Sequence, residues 1–295
     1  MALPMPTFQF KQVDVFTARP LFGNPVAVVL GADGLAPAEM QRIANWTNLS
    51  ETTFVLQAAP ERAYGLRIFT PQHELPFAGH PTIGSCHAVL EAGIVAGEDG
   101  RITQECGAGN LPLRVEGDGP QRRIYVEAPE ARFEGEFAEL KQSLSAALGR
   151  EPATHPAPTA FRNGPTWLFV PFERTADVSA LQPDMSAVAK LSREHSITGI
   201  AAFSFVDPGE LAVHIRCFAP AFGVSEDPVT GSANAALPAY LVRHRLLERT
   251  GREYVATQAT EMGRDGRVHV RVLDANGRSE IGGQAVTVVE GEITV

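Results

Sequence analysis

Cysteine is scarce: Cys86, Cys106 and Cys217 are the only three, and no C-x-x-C pair occurs. An odd, unpaired set argues against a disulfide framework and against a cysteine-rich zinc site, and it suits a reducing cytoplasm. Excess positive charge is lacking too. The formal net charge is −9, so the chain has no basic field for nucleic acid or an anionic membrane surface. No apolar run is long enough to span a bilayer. The opening MALPMPTFQF has no basic stretch ahead of an apolar one, so no secretory leader is expected. No glycine fingerprint for phosphate follows any strand-like segment, which removes the usual sign of a nucleotide cofactor. What remains is globular: apolar residues make up 44% and charged residues 20% of 295, a length that suits two domains.

Strand-like stretches are short and frequent: 8–16, 26–30, 53–56, 66–69, 123–127, 167–170, 201–206, 211–218, 268–273 and 285–289. Asp265-Gly266 and Asn276-Gly277 read as hairpin turns. Helical patterns cover 37–46, 80–90, 137–148, 185–193 and 232–247, the last carrying Pro238, which should bend or delay it. Strands with a few helices per half, without regular alternation, point to an α+β fold rather than a doubly wound sheet. The segment 110–119 is polar and glycine-bearing, and 128–136, rich in Pro and Glu, reads as a domain boundary.

The most informative pattern is a repeat. Arg67, Phe69 and Pro71 recur as Arg216, Phe218 and Pro220. After a three-residue insertion, Glu74, Pro76 and Gly79 recur as Glu226, Pro228 and Gly231. A period of about 150 residues means duplicated domains, not a solenoid. The halves run over 1–128 and 130–282, and the last strand, 285–295, is free to return to the first half. Two such domains, packed about a pseudo-twofold axis, would share a cleft where a ligand could bind.

The repeat sets His80 opposite Ser232, each after a glycine at the head of a helix of small residues, GHPTIGSCHAVL and GSANAAL. A helix start exposes unpaired N–H groups and partial positive charge, so Gly79, Pro81, Thr82, Gly231 and Ala233 are candidates for holding a carboxylate or an oxyanion. Ordinary helix caps would look the same. Glu51, between a helix and an apolar strand, has the setting for a desolvated carboxylate with a raised pKa, as a proton shuttle needs; it also reads as a capping or surface glutamate. Asp227 precedes the second helix and reads equally as a turn-forming Asp-Pro residue. His73, His80 and His87 lack a further ligand at metal spacing, so no metal is expected. Cys86 and Cys217 read as small core residues rather than nucleophiles.

Four segments, DVFTARPLFGNPVAVV, NLSETTFV, IFTPQHELPFAGHPTIG and CFAPAFGVSEDPVTGSANAAL, resemble in order and spacing the PhzF-like isomerases of phenazine biosynthesis. The resemblance implies two pseudo-symmetric domains of the diaminopimelate-epimerase type, each a β-barrel-like sheet round a central helix, in a homodimer. It implies that Glu51 moves a proton between carbons of a small, cyclic carboxylate, assisted by His80, Asp227 and Ser232, without metal or cofactor. Related epimerases of that fold use two cysteines, where this chain has His80 and Ser232, which disfavours a two-thiol racemase. Glu51 aligns near Gly199, and one carboxylate in one half suits a one-base shuttle. Two other readings stay open: a racemase or epimerase of an amino-acid-like substrate, and a non-catalytic protein that uses the same cleft only to bind a ligand.

Overall fold

The computed structural model describes residues 6–58, 63–96, 99–206 and 211–295; residues 1–5, part of the segment read above for a leader, lie outside them. The chain divides into two compact units, Met1–Glu127 with Gly282–Val295, and Ala128–Ile281.

In the first unit the strands are β1 (Thr7–Val15), β2 (Asn24–Leu30), β3 (Thr52–Gln57), β4 (Ala63–Phe69), β5 (Glu74–Leu75), β6 (Arg101–Cys106), β7 (Gly109–Glu116) and β8 (Arg123–Glu127), with helices α1 (Pro37–Thr47) and α2 (Gly79–Glu91). The first helix opens on Pro37, with the Glu39 carboxylate accepting the Ala36 N–H at 2.8 Å, and closes on left-handed Asn48. Strand β1 is antiparallel to β2, β2 is parallel to β3, β3 antiparallel to β4, β4 parallel to β6, and β6, β7 and β8 continue antiparallel. Helix α2 is buried from His80 to Val89 and packs on β1, β2, β3 and β8, a helix of small and apolar residues that also buries His80, Thr82, Ser85 and His87. Its small residues permit this approach. A Cβ on Gly84 would stand 2.5 Å from Val26 Cγ1.

The second unit repeats the plan. Strands β9 (Arg132–Glu136), β10 (Thr159–Arg162), β11 (Thr166–Pro171), β12 (Gly199–Phe205), β13 (Leu211–Ala219), β14 (Val224–Asp227), β15 (Glu253–Gln258), β16 (Gly266–Val272) and β17 (Ser279–Gly283) accompany helices α3 (Lys141–Leu148), α4 (Thr175–Ser179), α5 (Met185–Glu194) and α6 (Gly231–Arg243). Here β10 is antiparallel to β11, β11 parallel to β12, β12 antiparallel to β13, and β13 parallel to β15, the same sequence of pairings as in the first unit. Helix α6 packs on β10, β11 and β16. The last strand, β18 (Ala285–Thr294), pairs antiparallel with β1, as β9 pairs with β10. The fold is α+β in both units.

Several local readings change. Segment 110–119 is mostly strand β7, and β9 lies inside the stretch read as a boundary. Helix α6 runs through Pro238 but stops at Arg243, short of 247. Asp265-Gly266 is no two-residue hairpin: β15 and β16 pair from Gln258 to Gly266, leaving a longer loop with a 3-10 turn at Thr260–Met262. Asn276-Gly277 does lie in a tight turn, with Gly277 at φ 86° and Asp274 accepting the N–H groups of Asn276 and Arg278.

The repeat is a shared piece of chemistry as well as of spelling. Arg67 grips Glu74 through Nε and an Nη, both at 2.7 Å; Arg216 grips Glu226 in the same two-pronged way at 2.8 and 2.9 Å. Each guanidinium also lies over the phenylalanine two residues on, Phe69 at 5.2 Å and Phe218 at 5.1 Å.

Candidate active site

In the first unit Glu51 stands just ahead of β3, and His80 is the second residue of α2. Glu51 Oε2 lies 3.2 Å from His80 Nε2, with the two side chains 16% and 9% exposed. Burial pushes the Glu51 carboxyl up to about 7, against a smaller opposing pull from the Ser50 hydroxyl. Glu51 Oε2 makes no well-aligned hydrogen bond, so its charge is poorly compensated. A carboxyl held near neutrality can both take and give a proton at physiological pH.

What holds this pair is a set of buried hydroxyls. Ser85, one turn beyond His80 on α2, donates to Thr53 Oγ1 at 2.8 Å, and Thr53 donates to the Ala27 carbonyl at 3.2 Å. The Ala27 N–H reaches the Glu51 carbonyl at 3.4 Å. On the other flank Thr52 and Thr47 share a 2.7 Å hydrogen bond. The backbone at Glu51 is thus tied to β2, α1 and the helix that carries His80. Thr82 faces inward: its N–H bonds the Ala78 carbonyl at 3.2 Å and its Oγ1 accepts from Gln104 at 3.1 Å. Pro81 has no N–H to offer, and the Thr82 N–H is already taken by the Ala78 carbonyl.

In the second unit Asp227 ends β14 and Ser232 is the second residue of α6. Asp227 accepts the Thr230 hydroxyl at 2.7 Å, which closes the Asp-Pro turn, while Gln258 binds the Asp227 carbonyl at 2.9 Å and the Thr230 hydroxyl at 2.9 Å. Ser232 Oγ accepts from Trp167 Nε1 at 2.9 Å, and its carbonyl accepts from Asn163 Nδ2 at 2.8 Å. Gly231 and Ala233 flank Ser232 in the first turn and are buried. Trp167, Asn163, Thr53, Ser85 and Gln258 escaped the motif reading. Extending the repeat through the strand register matches Trp167 with Val26, so the repeat gives no signal for the indole.

Strand register carries the repeat back to Glu51. Thr52 pairs with Phe69 and Ile200 with Phe218, so Glu51 corresponds to Gly199. No side chain fits at Gly199: a Cβ there would stand 2.3 Å from the Phe218 carbonyl and 2.7 Å from the Trp167 ring.

His73 bonds Thr70, His80 faces Glu51 and His87 lies 3.9 Å from Glu91. Among the described residues, no group of three His, Cys, Asp or Glu is placed to hold a metal ion. The three cysteines are free; burial pushes the Cys86 thiol up to about 12 and Cys217 upward as well, which keeps both protonated. No helix among the described residues is long and apolar enough to cross a membrane.

The phenazine biosynthesis-like protein family, PhzC-PhzF, matches residues 13–291. The chain is 37% identical to trans-2,3-dihydro-3-hydroxyanthranilate isomerase of Pseudomonas aeruginosa, over 96% of this chain and 98% of that one. It is 36% identical to antisense-enhancing sequence 1 of Schizosaccharomyces pombe, over 98% and 99%. The crystal structure of a PhzF-family phenazine biosynthesis protein from Bacillus anthracis superposes with a TM-score of 0.87 at 29% identity, covering 99% of this chain and all of that one. The chain belongs to the phenazine biosynthesis-like, PhzC-PhzF family and is an enzyme of the isomerase class.

Proposed function

We propose that the protein is a cofactor-independent isomerase in which Glu51 takes a proton from one carbon of a small carboxylate substrate and returns it to another. The observation that carries this reading is the buried Glu51–His80 contact at 3.2 Å, with the Glu51 carboxyl raised to about 7. The carbon acid is one activated by a neighbouring double bond or carboxylate. Glu51 removes its proton as carboxylate and becomes the acid that protonates the second carbon; the electron pair moves through the substrate's double bond, so no outside proton is consumed. His80 steadies the charge that develops. Ser232 and the N–H groups at Gly79, Gly231 and Ala233 are assigned to the substrate carboxylate, on the strength of the repeat and of the donors they offer, and Asp227, an acceptor, is assigned with His80 to orienting the substrate. The absence of a side chain at Gly199 supports one base rather than the two that a racemase needs.

The test substrate is trans-2,3-dihydro-3-hydroxyanthranilate, named for the Pseudomonas relative, beside a panel of cyclic and amino-acid carboxylates in D2O. Glu51→Gln keeps the shape and cannot carry a proton. Its kcat should fall at least about 10²–10⁴-fold with KM little changed. In the wild type, kcat/KM should rise with pH through about 7, because the free enzyme must hold Glu51 as carboxylate. A Glu51→Gln enzyme turning over at the wild-type rate would end the proposal; deuterium washed into a stereocentre of a chiral amino acid would replace it with racemisation; tight binding of a carboxylate with no turnover across the panel would replace it with ligand binding alone. The same reading makes the protein a cytoplasmic homodimer, to be checked by sedimentation, with a rate that dialysis against a chelator leaves intact.

A further inference from the structure

The position that matches Glu51, Gly199, is closed to a side chain in the second unit by the Phe218 carbonyl and by an indole. Trp167 pairs with Gly199 across β11 and β12, and its ring lies against the Gly199 backbone, where a side chain would otherwise stand. In the first unit the Glu51 carboxylate points to His80; in the second the Trp167 N–H points to Ser232, the residue that matches His80 in the repeat. The acid that can lose its proton is replaced by a donor that cannot.

That replacement constrains the serine. A hydroxyl has one proton and two lone pairs, and an indole N–H can only donate. With Oγ accepting from Trp167 at 2.9 Å, the Ser232 proton is directed away from the indole. The serine main chain is held as well, by Asn163 on its carbonyl. A serine near a helix start is otherwise free to turn its proton onto a backbone carbonyl. We propose that Trp167 is a positioning residue that keeps the Ser232 hydroxyl available as a donor to the substrate carboxylate. This rests on the reading of Ser232 as a substrate-binding group given above. The indole does not titrate, so its effect falls on binding and leaves the pH dependence of Glu51 alone.

The chain has two tryptophans, Trp46, 77% exposed, and Trp167, 4% exposed, so 15N spectra of the full-length protein give two indole signals that exchange with solvent at very different rates. Ser232→Ala should move the protected signal and leave the other. The binding probe is 3-hydroxyanthranilate, an aromatic analogue of the test substrate. It should shift the Trp167 signal in the wild type and not in Ser232→Ala. Trp167→Phe should bind it roughly five- to tenfold more weakly, as loss of one oriented hydrogen bond implies, with the inflection near pH 7 unchanged. Ser232→Ala should weaken it to a similar degree, and the double variant no further. Wild-type affinity in a folded Trp167→Phe protein overturns the inference, as do effects that multiply in the double variant. A protected indole signal unmoved by Ser232→Ala, or by saturating probe in the wild type, overturns it without relying on the tryptophan variant. If Ser232→Ala itself binds normally, the assignment of Ser232 fails and this inference with it; if Ser232→Ala weakens binding and Trp167→Phe does not, this inference fails alone.

Discussion

Each unit sets a buried histidine against a glutamate, and the two carboxylates are driven in opposite directions. For Glu51 burial dominates, and the group rises to about 7. Burial also pushes Glu261 upward, but hydrogen bonds from His214 and Ser179 outweigh it, and the group falls to about 2. The geometry explains the difference. His214 Nε2 meets Glu261 Oε1 at 2.9 Å while its Nδ1 is fixed by Thr257 at 2.9 Å, so the pair is locked and its charge compensated. Glu51 faces His80 at 3.2 Å without good alignment. Each carboxylate keeps one buried oxygen, Oε2, without a hydrogen-bond partner, but Glu261 is held through His214 and Ser179 and Glu51 through Ser50 alone. Proximity to a histidine does not separate the two; the depth of burial and the number of donors do.

The widest separation is expected between the two matched arginines. Arg216 is buried, grips Glu226 and also donates to the carbonyls of Val178 and Leu181 at 3.1 Å. Arg216→Ala would leave Glu226 and those carbonyls uncompensated, a loss of about 3–5 kcal/mol. Arg67 makes the same two-pronged pair near the surface, and Arg67→Ala should cost at most about 1 kcal/mol. Chemical denaturation of both variants checks this; equal losses would mean that burial does not distinguish the two copies.

Next come the two carboxylates, with opposite signs. Glu51 binds its proton more tightly folded than unfolded, so the folded state is penalised as pH rises from about 4.5 to about 7, and the penalty is constant above that. Glu51→Gln should therefore stabilise the protein above pH 7, by up to about 3 kcal/mol, and change little below pH 4.5. Glu261 binds its proton less tightly folded. Its contribution is present above about pH 4.5 and is lost as pH falls toward 2, so Glu261→Gln should destabilise at neutral pH and converge with the wild type in acid. Thermal melts across pH 2–9 measure both. Curves shifted in the same direction would refute the contrast.

The parts that could be read from the sequence are those with local signatures. Arg67, Phe69, Glu74 and Gly79 and their copies sit within a dozen residues of one another, so the repeat shows, and with it both helix starts. Glu51 stood out as a single carboxylate with no match at Gly199. The polar strands were lost, because β15, EYVATQ, is held by pairing to β13 and β16 rather than by its own alternation. Asp265-Gly266 has the composition of a tight turn, but long-range register places the turn earlier. The Trp167–Ser232 bond joins residues 65 positions apart and leaves no motif.

The smallest effect concerns the hydroxyls behind Glu51, and again the units differ. By the same register Thr53 corresponds to Ala201, and Ser85 to Leu237, so the second unit fills with apolar side chains the place where the first keeps two buried hydroxyls. A core gains no stability from such a pair that well-packed apolar groups could not supply, so the hydroxyls need another reason to be there. Their reason is position: through Ala27 they couple the Glu51 backbone to the helix that presents His80. Ser85→Ala removes one donor and leaves Thr53 bonded to the Ala27 carbonyl, so the loss of stability should be about 1 kcal/mol. Catalysis should suffer in proportion to misplacement, a several-fold drop in kcat with KM unchanged. Ser85→Thr retains a hydroxyl and should recover part of that rate, whatever its packing does to the melting temperature. A Ser85→Ala enzyme that melts earlier yet keeps its full kcat would reduce the two hydroxyls to ordinary core contacts and remove this difference between the units.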